Sequence, residues 1–167
     1  MSMIGNLRKI DDAELARLLA HPDEIRTFLY GEPDHYDNRA DIDLDKAWHG
    51  IHFVLTGSEW GGEAPLNFVV SGGTEVGEVD VGYGPARAFT SAEVRQIHEA
   101  LAPIPPEEFV RRIKLNVLAG AGVYPDVWDR ASEADINFEY LGSYYAKLRS
   151  YLETLARDGF GMLVYVN

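Results

Sequence analysis

The chain has 167 residues, 46% of them hydrophobic and 25% charged, and its 15 Lys and Arg face 27 Asp and Glu for a formal net charge of −12. A globule of this size buries roughly 69% of the surface its unfolded chain exposes, enough for one core without metal or disulfide staples. With no cysteine, disulfides, thiolate zinc sites, iron–sulfur clusters and a cysteine nucleophile are excluded.

The acidic balance opposes counterion release on a phosphate backbone, and no cluster of Lys or Arg offsets it locally. Neither nucleic acid nor an anionic membrane surface is expected as a partner. Met1 to Ile10 lacks the apolar core of a secretory signal, and the longest apolar stretches, Val117–Val123 and Gly159–Val166, fall far short of a membrane span. The protein is therefore read as cytoplasmic.

In chain order, Met3–Ile10 reads as a strand. Asp11 then offers a cap with Glu14 three residues on, ahead of Leu15, Leu18 and Leu19 at helical spacing. Pro22 starts a second short helix that carries Ile25, Phe28 and Leu29 inward and stops at Gly31. A polar loop from Glu32 to Asp43 leads to a helix over Leu44–Thr56, capped by Asp43 and ended by Gly57. Ser58–Gly84 holds seven glycines around one apolar run, Phe68–Val70, and reads mostly as loop.

Ala86–Phe89 is a strand candidate, and Thr90 with Glu93 forms a capping box for a helix whose inner face is Val94, Ile97, His98 and Leu101. Pro105-Pro106 opens the next helix, with Phe109, Val110, Ile113 and Val117 inward. Asn137–Arg157 is the longest helix, with Leu141, Tyr145, Leu148, Leu152 and Leu155 on one stripe before the stop at Gly159. Met162–Val166, unbroken and apolar, has the pattern of a strand buried on both faces. The architecture these elements predict is α/β: a single compact domain, residues 1–167, in which a small mixed sheet of Met3–Ile10, Ala86–Phe89 and Met162–Val166 is packed with amphipathic helices.

At about 100° per residue, Leu44, Ala47, Trp48, Ile51, Val54 and Leu55 share the buried face of the third helix, and Asp45, His49 and His52 share a flanking strip about 60° wide. A carboxylate one turn below an imidazole can orient a general base or a ligand contact, or it can simply complement the helix N-terminus. An ionised Asp45 beside His49 would raise the pKa of the imidazole above its usual 6.5 or so. His49-x-x-His52 lacks the intervening Glu of a zincin helix, and no third ligand is identifiable, so no metal site is assigned. Asp41, Asp43 and Asp45 imitate the start of a calcium loop, but Lys46 and His52 stand where its glycine and closing glutamate belong.

Gly82-Tyr83-Gly84-Pro85-Ala86-Arg87 matches only the start of a dinucleotide fingerprint: Pro85 removes a backbone donor and Arg87 replaces the last glycine. What remains is a tight turn that delivers Tyr83 and Arg87 to fixed positions. Arg87 either pairs with a carboxylate of the chain or clamps an anionic group. Tyr124 and Trp128 add aromatics to a loop. Tyr140, Tyr144 and Tyr151 edge the stripe of the long helix, either as rim residues or as the wall of a pocket. His98 reads as a core histidine, and no Gly-x-Ser-x-Gly elbow is present.

The string Leu44-Asp45-Lys46-Ala47-Trp48-His49-Gly50-Ile51-His52-Phe53-Val54-Leu55-Thr56-Gly57, then Gly72-Gly73, then Gly82 to Arg87, resembles the YfbM-like family of bacterial proteins, as does the opening Met3-Ile4-Gly5-Asn6. The resemblance implies a bacterial origin and a single α/β domain; it implies no reaction. The expected function is a cytoplasmic domain that binds a small polar ligand or a partner protein, without chemistry of its own and without a cofactor. Its candidate contacts are Asp45, His49, His52, Tyr83, Arg87, Tyr124 and Trp128. The rival is a hydrolase or transferase in which His49, oriented by Asp45, is the general base and Arg87 steadies an anion. A subunit whose role is assembly is the third class.

Overall fold

A computed structural model describes residues 2–167. Five strands, β1 (Gly5–Ile10), β2 (Ile42–Asp43), β3 (Thr74–Asp80), β4 (Pro85–Phe89) and β5 (Gly161–Val166), form one sheet in the order β2-β1-β5-β4-β3. The helices are α1 (Asp12–Ala20), α2 (Ile25–Tyr30), α3 (Ala47–Thr56), α4 (Ser91–Leu101), α5 (Pro106–Arg112), α6 (Leu115–Gly120) and α7 (Ala134–Asp158).

The apolar run near the carboxyl end is the middle of the sheet. β5 pairs with β1 from Gly5↔Val166 to Ile10↔Gly161, and with β4 from Arg87↔Val164 to Phe89↔Met162. Because side chains alternate along a strand, β5 feeds two cores. Met162 and Val164 join the larger one, built with Trp48, Ile51, Ile97, Leu141 and Leu148. Leu163 and Tyr165 join the smaller one, with Leu15 and Leu18 of α1 and Ile25 and Leu29 of α2. The result is an α/β domain with helices on both sheet faces.

The three expected strands are adjacent in this sheet. Every pairing is antiparallel, however, so the sheet is not mixed. Two further strands complete it. β3 lies inside the segment read as loop, where Gly77 (φ 63°) and three carboxylates, Glu75, Glu78 and Asp80, hide the strand pattern, and Val76 is its one fully buried side chain. β2 has only two residues, too few for a periodicity to show.

Several caps form as their sequences direct. Asp11 accepts from the Glu14 N–H at 2.8 Å, Thr90 and Glu93 close a reciprocal capping box, and Gly57 and Gly159 end α3 and α7 in the left-handed conformation. The third helix departs from its expected start. Ile42 and Asp43 are drawn into pairing with β1, the Leu44 N–H donates to the Gly5 carbonyl at 2.8 Å, and Asp45 turns the chain at φ 44° before α3 begins at Ala47. Sheet pairing therefore wins over the helix cap expected at Asp43. The helix expected from Pro105 through Val117 likewise breaks at Ile113, which is extended and buried, and resumes as α6.

α3 lies against β1 where the strand has no side chain. A Cβ on Gly5 would sit 2.6 Å from the Trp48 Cβ and 2.9 Å from its Cγ, atoms too close to the helix backbone to swing aside. Gly5→Ala should destabilise the fold by about 1–3 kcal/mol, the usual cost of overpacking, in urea titrations. An unchanged midpoint would show that α3 can slide on the sheet.

Candidate functional site

The turn between β3 and β4 is tied to the end of β5. The Asp80 carboxylate accepts from the N–H groups of Gly82 (2.8 Å) and Gly84 (3.0 Å), which holds its pKa below the ordinary value, and the Tyr83 N–H donates to the Val166 carbonyl at 3.0 Å. Gly82 has φ 153°, and a Cβ there would lie 2.6 Å from the Asn167 Cα, so only glycine fits. Tyr83, between the two glycines, is left 48% exposed.

Four residues on, Arg87 reaches across the larger-core face of the sheet. One terminal nitrogen donates to the carbonyls of Phe68 (2.9 Å), Ser71 (2.6 Å) and Gly72 (3.2 Å), and the other donates to Val69 (2.7 Å). No carboxylate lies within 4 Å of it among the described residues. The expected carboxylate of the chain is thus replaced at these nitrogens by the carbonyls of one turn. Desolvation lowers the guanidinium pKa to about 10, opposed only by the more distant Glu75 across the ladder. It remains charged at neutral pH.

His49 and His52 are fully buried on α3. The Tyr124 N–H donates to His49 Nδ1 at 3.0 Å, so the ring proton is on Nε2, which donates to the Glu59 carbonyl at 2.8 Å. Both nitrogens are therefore engaged by main chain. Asp45, being outside the helix, is not one turn below His49; its carboxylate instead accepts from the Tyr140 hydroxyl at 2.9 Å. The His49 pKa is accordingly lowered, by burial against a smaller opposing effect of the Glu59 carbonyl, and is not raised by Asp45. His52 is pushed further, to about 4, by burial and then by His49, with the Arg87 charge adding to the same direction. Its Nδ1 has no partner among the described residues.

Above His49 lies an aromatic layer. Trp48 stacks on His49 with centroids 4.9 Å apart, and Trp60, from the loop after α3, covers the same imidazole at 4.3 Å while remaining 55% exposed. The Trp48 indole N–H donates to the Met3 carbonyl (3.1 Å), and the Met3 N–H donates to the Tyr124 hydroxyl (3.1 Å). Trp48, Trp60 and Tyr83 then wall a cleft of about 340 Å³. Its floor is the sheet at Pro85, Arg87, Val164 and Val166, and its far side is Val69 and Val70.

Of the expected contacts, Tyr83 and Arg87 line this cleft, His49 lies behind Trp48 and Trp60 as a support, and His52 is buried on α3 outside the lining. Tyr124 braces the layer from the side. Trp128 is a core residue, with its N–H donating to the Val123 carbonyl at 2.7 Å. Tyr140 and Tyr151 bond Asp45 and Asp41 and take no part in the cleft. Trp60 was not among the expected contacts; its signal was a large aromatic among Ser58, Glu59, Gly61 and Gly62, a setting with no amphipathic stripe to bury it. No group of three or more His, Asp or Glu among the described residues is placed to hold a metal ion.

Across residues 1–165 the sequence matches the model of a family described as a domain of unknown function, DUF1877. The chain belongs to the DUF1877 family. Its fold is similar to the crystal structure of YfbM from Escherichia coli, a protein of unknown function, with a TM-score of 0.73 and 23% identity over 98% of this chain and 99% of that one. At that identity the likeness establishes the fold alone. A search of curated protein sequences gives no match.

Both histidines have lowered pKa values in the folded DUF1877 domain, whereas the unfolded chain takes up protons near pH 6.5. Their contribution to stability is complete above that value and is lost as pH falls toward the folded pKa, by about 3 kcal/mol for His52 at about pH 4. NMR titration should find the His52 ring neutral at pH 6 and the His49 midpoint below its usual 6.5 or so, and Asp45→Asn should leave the His49 pKa in place. A His49 midpoint above 6.5 or so would refute this assignment.

Proposed function

We propose that the protein is a small-molecule binding domain without chemistry of its own, and that its ligand lies in the cleft between Trp48, Trp60 and Tyr83. The observation that carries this reading is the cleft itself: a concavity of about 340 Å³ walled by Trp48, Trp60 and Tyr83, with a single charged residue, Arg87, in its lining. That combination of apolar walls and few polar groups is typical of small-ligand sites, whose volumes run from roughly 300 to 1,000 Å³.

The absence of chemistry is supported by His49. A general base needs a free lone pair within reach of its substrate, and both ring nitrogens of His49 are occupied by main chain beneath two indoles. A partner protein has less support, because the exposed faces of Trp60 and Tyr83 border a concavity and not a flat patch. The setting we propose is the bacterial cytoplasm; the Escherichia coli protein of similar fold supports the bacterial part, and cell fractionation tests the rest.

A fragment screen by ligand-observed NMR, followed by protein spectra, tests the site. Hits should shift the Trp60 and Trp48 indole N–H resonances, and Trp60→Ala should weaken them at least tenfold with little change in melting temperature, since this ring is 55% exposed. Hits that leave those resonances unmoved would overturn the assignment.

A further inference from the structure

We infer that the cleft selects an apolar monoanion of the aryl carboxylate class, its ring between Trp48, Trp60 and Tyr83 and its carboxylate against Arg87; this rests on the cleft being the ligand site proposed above. The charge pattern is the reason. In a chain of net charge −12, Arg87 is the one charged residue lining the cleft, and no carboxylate lines it.

The guanidinium is held by carbonyl dipoles and not by a counterion. Four carbonyls engage its terminal nitrogens, but dipoles stabilise a cation without cancelling its charge. Its Nε makes no hydrogen bond among the described residues. Glu75, the acid opposite Arg87 in the β3–β4 register, is exposed and makes no ion pair with it. A net positive charge therefore faces a largely apolar space, where an anion gains more than it would in water.

Two other ligand classes fit less well. Two indoles and a phenol suit a quaternary ammonium, but such a cage has no buried cation in its floor. A phosphate group carries more charge and more acceptors than the donor capacity left on one already engaged guanidinium can meet, whereas a carboxylate needs one or two donors. The aromatic walls select the rest of the molecule, since offset stacking rewards a planar ring.

Calorimetry with three matched probes, phenylacetate, phenylacetamide and benzyltrimethylammonium, tests the class. Phenylacetate should bind at least tenfold more tightly than the amide, and the cation should not bind. Trp60→Ala should weaken phenylacetate while keeping its advantage over the amide, and Arg87→Met should remove that advantage. Should Arg87→Met fail to fold, Arg87→Lys, which keeps the charge, should retain the preference, and the comparison on the unmodified protein decides the class. An amide or cation that binds as well as phenylacetate would overturn the anion inference and leave the binding site standing. Silence of all three probes, with other fragments still shifting the Trp60 resonance, would do the same; silence of every fragment would overturn the site as well.

Discussion

A cation taken out of water must be surrounded by acceptors, and that requirement at Arg87 organises the functional face of the molecule. Withdrawing an ion into a protein costs several kcal/mol, and each hydrogen bond to a charged group returns about 1.5–3 kcal/mol, so several acceptors are needed together. The chain supplies them from one turn, Phe68 to Gly72, whose carbonyls converge on the guanidinium. The turn is then delivered straight into β3 through Gly72 and Gly73, both at positive φ, and a Cβ on Gly73 would lie 2.7 Å from the Ala88 carbonyl. β3 pairs with β4, the strand that carries Arg87. The loop thus closes on itself, and Val69 and Val70 are presented to the cleft as a result.

His49 plays the matching part on the other wall. Its two nitrogens hold two separate loops, one through Glu59 and one through Tyr124, while Trp48 stacks on its ring and Trp60 packs against it at a tilt. An imidazole in this position is a strut whose value lies in being neutral, because protonation would turn the Nδ1 acceptor into a donor facing the Tyr124 N–H. Burial lowers its pKa and so keeps the strut in its working form. The same residue that looks like a base along the sequence is, in three dimensions, what fixes the spacing between an indole of the core and an indole of the surface.

Most of the fold was legible in the sequence because its elements announce themselves locally. The capping box at Thr90 and Glu93, the stripe from Leu141 to Leu155 and the apolar run of β5 each need only their own residues to be read. The edge strands were not legible: β3 and β2 owe their conformation to partners far along the chain, and neither buries a full face. The site was legible in part for the same reason. The glycines at 82 and 84 marked the turn that sets Tyr83 and Arg87, but the helical wheel misplaced Asp45, because pairing with β1 delays α3 to Ala47. Nothing in the local pattern shows that Trp60 folds back over His49, or that Arg87 finds carbonyls in place of a carboxylate; both contacts join segments separated by loops.

The irregular outer strand has a consequence beyond the site. β3 lies at a border of the sheet, so its outward N–H and C=O groups would offer a template for the strand of another molecule. Glu75, Glu78 and Asp80 place three exposed carboxylates within these seven residues, and the shift in register around Gly77 twists the ladder out of line. An approaching copy would meet like charge and a crooked rim at once. The glycine that hid this strand in the sequence therefore also guards the protein against sheet-to-sheet aggregation.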